Sequence, residues 1–392
     1  MNIAILIPEL GGGGAQRVAQ IIGDYYCEKG EKVFYFLLES SIGQAYPVKG
    51  QIIYTGIKRC EENVIYGNVQ VLFRLLWSSC LMRRWKWKYH IDVCISFMEE
   101  CNYINVLSRG RERVITRICT ILSKRNDLEG ILFNKNMVRS LYSLADRVVV
   151  MSRYGKEDMC KNYGIARKKL IEIPNPAMKA EEIETEREWV YGEKAVICVG
   201  RLEPVKQQER IIRAFSYVKS HQPEATLLIL GVGPNRKYLQ RLCEKYEVDD
   251  SVFFIGFTSE TGYYLKHSRV FVMASMAEGF PNSMVEAMAH GLPVVTTDCP
   301  GACGQIIGLK NYESVDNEIK YGPYGIGTPF ITGKVSFGEE LSDKEILLGE
   351  ALLKVLDDEK LYEIYKERSL RRAAMYGLEN VMGRWGKLIV ND

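Results

Sequence analysis

Long apolar runs are absent from this sequence. No segment of its 392 residues approaches the roughly 20 consecutive apolar residues that a membrane-spanning helix requires, so no such helix is predicted. The amino terminus lacks a basic region before its short apolar run at 3–7, which does not match a secretory signal sequence. The composition therefore predicts a protein of the cytoplasm.

Paired cysteine spacings are absent as well. The eleven cysteines are odd in number and scattered from Cys27 to Cys303, without the close pairs of a zinc site or the density of a disulfide scaffold. We expect them to be reduced thiols that are mostly buried. This expectation agrees with a reducing compartment.

Size and charge bound the remaining possibilities. A chain of 392 residues with 47% hydrophobic and 26% charged residues is long enough for two globular domains. Lys and Arg exceed Asp and Glu by 26 − 17 = 9 in residues 1–172, whereas 26 − 32 = −6 in residues 173–392. The basic first half predicts contact with a phosphorylated substrate or an anionic membrane surface. Nucleic acid is not expected as a partner, because no recognition motif is present.

Short apolar runs alternate with stretches of helical period, a pattern typical of an α/β protein with mainly parallel strands. The prolines at 174 and 176 interrupt this pattern, and the acidic stretch 181–189 is expected to be a linker. We predict domains at 1–172 and 173–376 and a final helix at 377–392. Strands are expected at 3–7, 33–38, 93–97, 114–116, 148–151, 196–199, 226–230, 252–255, 270–273 and 293–297. Helices are expected at 15–29, 69–89, 130–144, 156–163, 207–221, 235–246, 259–267 and 283–289, and in the tail from 344.

A glycine run, 11–14, follows the first predicted strand and precedes a helix. Glycines there allow a ligand to approach the backbone, and the helix amino terminus attracts anions. The run does not fit the Gly-x-Gly-x-x-Gly pattern of a dinucleotide site in any register. The alternative is a tight connection without a ligand.

A second motif, Val199-Gly-Arg-Leu-Glu-Pro-Val-Lys206, leaves the first strand of the second half. Arg201 offers a planar fork of donors and Lys206 a point charge, which together suit two linked phosphates. The alternative is that both are solvated surface cations.

A third motif, Ala277-Glu-Gly-Phe-Pro-Asn-Ser-Met-Val-Glu286, follows another buried strand. We expect the free amides at 283–285 to hold an anion or sugar hydroxyls, and Glu278 and Glu286 to accept hydrogen bonds from hydroxyls. The alternative for Ser283 and Glu286 is a capping box, which requires no ligand.

These motifs, together with Asn175-Pro, resemble the retaining glycosyltransferases of family 4 over nearly the whole chain. The resemblance implies the α/β GT-B fold, in which two Rossmann-like, doubly wound domains face a central cleft and a C-terminal helix, here with Trp385, crosses back to the first domain. The first domain would bind the acceptor and the second the nucleotide sugar. The catalytic residues implied are Arg201, Lys206 and Glu278. The donor-binding residues implied are Gly13, Gly14, Arg201, Lys206, Glu278, Gly279, Phe280, Pro281, Asn282, Ser283 and Glu286.

The function implied by this resemblance is transfer of a hexose or N-acetylhexosamine from a UDP-linked donor, with retention, to a glycan or polyprenyl-linked acceptor in cell-surface polysaccharide synthesis. No cofactor or metal is expected, because no Asp-x-Asp metal motif is found. Two alternatives remain: a nucleotide-sugar epimerase or a non-catalytic nucleotide-sugar-binding subunit.

The sequence departs from the family pattern at one point. Members often carry a Ser-Glu-His-Asn-like segment whose His positions the donor sugar, but the corresponding stretch 114–118 has Arg117 and no histidine. Arg117 either takes a polar role there or lies on the surface. Separately, 81–89 mixes cations with aromatics, which suits an anionic lipid interface. The alternative for 81–89 is a solvated helix end with its aromatics packed inward.

Overall fold

A computed structural model describes residues 1–38, 47–57, 68–125, 134–177, 188–309, 317–333 and 340–390, with the backbone only for 68–70. The chain divides into two compact units. Unit 1 consists of Met1–Pro176 with Val381–Asp392, and unit 2 consists of Ala177–Asn380. The boundaries expected from the sequence lay after 172 and 376 rather than after 176 and 380.

Unit 1 is built on a parallel sheet. Its seven described strands lie in the order β3-β2-β1-β4-β5-β6-β7, and each neighbouring pair is parallel. The strands are β1 Asn2–Ile7, β2 Lys32–Leu37, β3 Gln51–Tyr54, β4 Val93–Phe97, β5 Arg113–Arg117, β6 Arg147–Val150 and β7 Leu170–Glu172.

Both faces of this sheet are covered, as near-continuous apolar strands require. Alternate side chains of β1 enter opposite cores: Ile3 and Ile5 pack on one face, Ala4 and Leu6 on the other. The connecting helices are α1 Gly14–Glu28, α2 Asn68–Lys88, α3 Glu99–Leu107, α4 Lys135–Leu144 and α5 Arg153–Tyr163.

Unit 2 repeats the architecture. Its described strands lie in the order β10-β9-β8-β11-β12-β14-β13, parallel except for the β13–β14 hairpin. The strands are β8 Ala195–Val199, β9 Thr226–Leu230, β10 Val252–Gly256, β11 Val270–Met273, β12 Val294–Thr297, β13 Lys320–Gly322 and β14 Gly325–Thr328. The helices are α6 Gln208–His221, α7 Arg236–Lys245, α8 Thr261–His267, α9 Asn282–Ala289, α10 Cys303–Ile307, α11 Asp343–Asp357 and α12 Glu359–Met375.

A buried ionic cluster joins α6 to α11. The Glu345 carboxylate is fully buried and accepts from Arg210 Nη1 at 2.8 Å and from Arg213 Nε at 2.7 Å. Burial acts to raise the pKa of Glu345, but the hydrogen bonds from Arg213 and Arg210 outweigh burial and hold it below its ordinary value. The cluster fixes the two helices against each other.

The last helix, α13 Leu378–Val390, returns to unit 1. Trp385 is fully buried in the core that also contains Ile3 and Ile5. Val381 and Leu388 join the same core, so one face of the helix is apolar at helical spacing. None of the described helices, α13 included, combines the length and apolar character needed to cross a bilayer.

The predicted α/β class with two doubly wound sheets is confirmed. Every predicted strand is observed with ends shifted by at most one residue. The helix expected at 130–144 instead begins at Lys135, because Asn134 has non-helical backbone and its side chain caps the helix by accepting from the Asn136 amide. Residues 130–133 lie outside the described residues. The linker expected at 181–189 also lies mostly outside them. The sequence analysis missed β3, β7, β13, β14, α3 and α10.

Candidate functional site

An ion pair joins two loops at the carboxyl edge of the unit 2 sheet. Strands β8 and β11 are neighbours in that sheet, so the loops that follow them meet. Lys206 Nζ lies 2.7 Å from Glu278 Oε1. The amide of Met276 also donates to the Val205 carbonyl at 2.8 Å. Two residues predicted from separate motifs thus form one pair.

Glu278 is held from several sides. Its side chain accepts from Ser275 Oγ at 2.6 Å, and the residue is only 7% exposed. Its amide donates to the Pro300 carbonyl, and its carbonyl accepts from the Ala302 amide, both at 3.0 Å. Gly301 has φ +134°, and a Cβ there would overlap the Glu278 carbonyl oxygen. The loop after β12 therefore requires glycine at 301 to hold Glu278 in place.

The environment of Lys206 keeps it charged. Burial acts to lower the pKa of Lys206, but the Glu278 carboxylate outweighs burial and raises that pKa above its ordinary value. The side chain of Lys206 remains partly exposed, at 26%. A protonated ammonium is thus available to an anion, and the alternative of a solvated surface cation is wrong for Lys206.

Arg201 differs from Lys206 in its surroundings. Its side chain is 73% exposed, and Nη1 pairs with Glu203 Oε1 at 2.8 Å. The Arg201 carbonyl is anchored by Gln208 Nε2 at 2.8 Å. Its backbone is therefore fixed while its guanidinium faces solvent. This agrees with the alternative that Arg201 is a solvated surface cation. A pair this exposed costs little to break.

The start of α9 excludes the capping box. Pro281 occupies the cap position without a side-chain cap, so Ser283 lies inside the first turn and Glu286 one turn later. The expectation of free amides at 283–285 is wrong for Met284 and Val285, because both donate to the Pro281 carbonyl, at 3.2 and 3.3 Å. The amino terminus of the helix thus lies at Asn282 and Ser283, one residue earlier than expected.

The rest of the predicted donor motif surrounds this helix start. Phe280 is buried and packs edge-on against Tyr376, with ring centroids 5.3 Å apart. Gly279, Asn282 and Glu286 are partly exposed. The loop after β11 thus presents Glu278 and the amino terminus of α9, and the loop after β8 adds Lys206 through its ion pair with Glu278.

The glycine turn belongs to unit 1. Gly13 caps α1 with extended backbone, φ −110° and ψ 162°, and Gly14 begins the helix. Neither glycine has positive φ. Their predicted approach to a donor diphosphate stays a prediction.

Arg117, at the end of β5, is fully buried, so the alternative that placed it on the surface is wrong. Its Nη2 donates to Asn175 Oδ1, and its guanidinium carbon lies 5.4 Å from the centroid of the Phe97 ring. Nε and Nη1 have no hydrogen-bond partner among the described residues. Burial lowers the pKa of Arg117. Burial of a cation with so few described hydrogen-bond partners is energetically unfavourable.

Two contributors to the site were not identified from the sequence. Ser275 carries no motif, and only the short distance along the chain to Glu278 relates it to the site. Gly301 had a usable signal, because Pro300-Gly301 after an apolar strand predicts a turn. Within the described ranges, no three His, Cys, Asp or Glu side chains are grouped so as to hold a metal ion. Metal-independent activity stays a prediction.

The sequence is similar to those of known glycosyltransferases. Residues 179–318 match the family model described as Glycosyl transferases group 1. An uncharacterized glycosyltransferase of Methanocaldococcus jannaschii is 30% identical over 63% of this chain and 64% of its own length. The N-acetylgalactosamine-N,N'-diacetylbacillosaminyl-diphospho-undecaprenol 4-alpha-N-acetylgalactosaminyltransferase of Campylobacter jejuni is 26% identical over 96% of this chain and 95% of its own length.

A solved structure supports the fold. HepE of Anabaena, determined in complex with UDP, superposes with a TM-score of 0.72 at 16% identity and covers 99% of both chains. The resemblance to group 1 glycosyltransferases and the GT-B fold class predicted from the sequence are thereby confirmed.

Proposed function

We propose that the chain transfers a hexose or N-acetylhexosamine from a UDP-linked donor, with retention, to a lipid-linked acceptor. The proposal is supported by the match of residues 179–318 to the group 1 glycosyltransferase family and by the GT-B fold. The transfer would take place in the cytoplasm and contribute to the synthesis of a cell-surface polysaccharide. The observation that carries this proposal is the Lys206–Glu278 pair beside the amino terminus of α9.

The nucleotide donor is supported by charge and by a neighbour. Lys206 keeps its proton, and Arg201 can leave Glu203 at little cost, so two cations on one loop suit the two phosphates of a nucleoside diphosphate. The Anabaena neighbour was solved with UDP. Glu286 would bind the ribose, and Glu278 with the backbone of 279–282 the hexose.

A lipid-linked acceptor is supported by the Campylobacter relative, whose name specifies a diphospho-undecaprenol acceptor. That relative aligns over nearly the full length of both chains, so its acceptor class is the one we propose here. The basic balance of residues 1–172 fits an acceptor that carries phosphate groups.

The chemistry follows from where charge develops. As the nucleoside diphosphate leaves the sugar, negative charge accumulates on its phosphates, and Arg201 and Lys206 supply positive charge there. The first amides of α9 add the positive end of a helix dipole. Glu278 accepts hydrogen bonds from sugar hydroxyls and so orients the donor; it does not attack the anomeric carbon. Same-face attack by the acceptor hydroxyl, with a donor phosphate oxygen taking its proton, gives retention without a metal or cofactor.

The test is a donor-consumption assay on the purified full chain. A panel of UDP-, GDP- and ADP-linked sugars is incubated with and without a lipid extract, and released nucleoside diphosphate and sugar in the organic phase are measured. We expect consumption of one UDP-sugar that depends on the extract and equals the sugar transferred. Turnover without acceptor would indicate an epimerase or hydrolase, and binding without turnover a non-catalytic subunit; either result overturns the proposal.

A further inference from the structure

One face of α2 exposes large apolar side chains. Phe73, Leu76, Trp77 and Trp87 are 70%, 56%, 61% and 77% exposed. At about 100° per residue, the exposed residues of the helix from 73 to 88 all fall within an arc of about 140°. The opposite side, which includes Leu75 and Met82, is buried in the core of unit 1. Aromatics exposed together on one helix face indicate an interaction surface.

The same face carries cations and no acid. Arg83, Arg84 and Lys88 are exposed, and α2 contains no Asp or Glu. Lys88 Nζ lies 5.0 Å from the centroid of the Trp85 ring, which together with Tyr89 packs inward. The alternative for 81–89, aromatics packed inward, is correct for Trp85 and Tyr89 but not for Trp87, which faces solvent; contact with lipid stays a prediction.

A cationic pocket lies at the amino-terminal edge of the unit 1 sheet. It has a volume of about 380 Å³, and its lining consists of four arginines and two acids. These residues are Arg109, Arg111, Arg113, Arg147, Glu112 and Asp146. They come from the starts of β5 and β6 and the turns before them, at the opposite edge from the strand ends where α/β folds bind ligands.

Both acids of this pocket are already engaged. Glu112 Oε1 lies 2.8 Å from the buried Lys86 Nζ, and Asp146 Oδ1 lies 2.6 Å from Arg109 Nη2. Asp146 Oδ2 also accepts from the Val114 amide at 2.8 Å. The lining therefore holds four arginines against two carboxylates, and one of these carboxylates also pairs with the buried Lys86.

Lys169 extends this positive charge. Its ammonium donates to the carbonyls of Ser143 and Ala145. Burial lowers the pKa of Lys169, and repulsion from Arg109, Arg147 and Lys168 lowers it further against the attraction of Asp146. The cations at this edge are therefore close enough to repel one another.

The helix face and the pocket are joined through one buried ion pair. Lys86 precedes Trp87 on α2, and its partner Glu112 follows Arg111 in the pocket. Trp87 and Arg111 are both exposed on either side of that pair. The ion pair thus places the carboxyl-terminal end of α2 next to the arginine pocket, and both belong to unit 1. We call the exposed face of α2 and this pocket together the aromatic–arginine surface.

We propose that this surface docks on a bilayer containing anionic phospholipid. The aromatics suit the boundary between headgroups and acyl chains, where Trp is enriched, and the arginines suit headgroup phosphates. Charge complementarity favours this occupant over a zwitterionic bilayer. The proposal does not rest on the transferase activity, because the surface is defined without any donor residue.

The test is flotation of the full chain with vesicles, without donor or acceptor. We expect binding to vesicles of phosphatidylglycerol and phosphatidylcholine in equal parts, weakened by salt, and little binding to phosphatidylcholine alone. The double variant Arg111→Gln/Arg147→Gln should lower the partition coefficient about thirtyfold, at about 1 kcal/mol per cation. Trp77→Ser/Trp87→Ser should also bind vesicles more weakly, but the binding that remains should depend on salt as strongly as that of the unaltered chain.

Matched controls lie in unit 2. Lys237→Gln/Arg241→Gln removes two exposed cations and Phe257→Ser an aromatic that is 83% exposed, and both should bind vesicles like the unaltered chain. Equal binding to both vesicle types, or equal losses in the controls, overturns the proposal. The proposal is also overturned if the unaltered chain binds no vesicles but forms dimers that Trp77→Ser/Trp87→Ser abolishes, because the face would then serve self-association.

Discussion

Lys206 Nζ and Glu278 Oε1 lie 2.7 Å apart across two loops that follow neighbouring strands. Because Ser275 also donates to the same carboxylate oxygen, Glu278 is oriented before any ligand binds. The pair keeps the lysine protonated and places its charge at the edge of the sheet where nucleotides bind in doubly wound folds.

The charge of Glu278 is therefore expected to set the alkaline limit of activity. In Glu278→Gln the burial of Lys206 remains but the carboxylate that raises its pKa is gone, so Lys206 should lose its proton at lower pH. The pH profile of kcat/KM should then fall at lower pH on its alkaline side than in the unaltered chain.

The matched control for this profile is Glu203→Gln, which removes a carboxylate from the exposed Arg201 instead. Its alkaline limb should coincide with that of the unaltered chain. An unshifted limb in Glu278→Gln would show that Lys206 does not control this step.

The Glu345 cluster is expected to be a main support of unit 2. Glu345→Gln leaves two nearly buried guanidinium groups without their shared anion, so the free energy of unfolding should fall by about 3 kcal/mol. Urea unfolding at neutral pH measures this. Glu363→Gln, which breaks an exposed pair with Lys366, should cost less than about 1 kcal/mol.

The same cluster predicts a pH dependence. The pKa of Glu345 is lowered in the folded chain, so its contribution is complete above the ordinary Glu value of about 4.3 and is lost as pH falls through the lower folded value. The difference in stability between the unaltered chain and Glu345→Gln should shrink in that acidic range. A constant difference down to the lowest pH that both chains tolerate would contradict the assignment.

Arg117 is expected to cost stability rather than supply it. Two of its guanidinium nitrogens are buried without a described partner, so Arg117→Met should leave the free energy of unfolding unchanged or raise it, while lowering sugar transfer. Arg213→Met removes an equally buried arginine that is paired with Glu345 and should lose about 3 kcal/mol. A similar loss in Arg117→Met would mean that Arg117 serves the fold.

The sequence predicted the elements whose patterns are local. Apolar runs such as those of β9 and β11 indicated strands with correct bounds. Helix α3 was missed because Asn102 and Asn105 occupy buried positions, where apolar residues were expected. In the fold they bond Ser96 and the carbonyls of Arg117 and Cys94, partners that no local pattern reveals. Strands β13 and β14 are short and rich in glycine, and they depend on their hairpin and on β12.

For the candidate site, too, the sequence predicted what depends on local patterns and not what depends on tertiary contacts. Parallel strands place their carboxyl ends together, so the proximity of the loops bearing Lys206 and Glu278 follows from the α/β pattern. The contributions of Ser275 and Gly301 depend on tertiary hydrogen bonds and close backbone contact. The burial of Arg117 depends on Asn175, 58 residues later in the chain, so it could not be predicted from the local sequence either.

The most direct test of the donor site is sugar transfer by the purified chain and by Arg201→Ala, Lys206→Ala and Glu286→Ala, with Lys237→Ala as a control from the surface of α7. The account predicts that all three variants suppress transfer, with kcat/KM about a hundredfold lower for Lys206→Ala, and that the control and a chelator leave it unchanged. Transfer at the unaltered rate in all three variants would contradict the site, and loss with a chelator that magnesium restores would contradict its independence of metal.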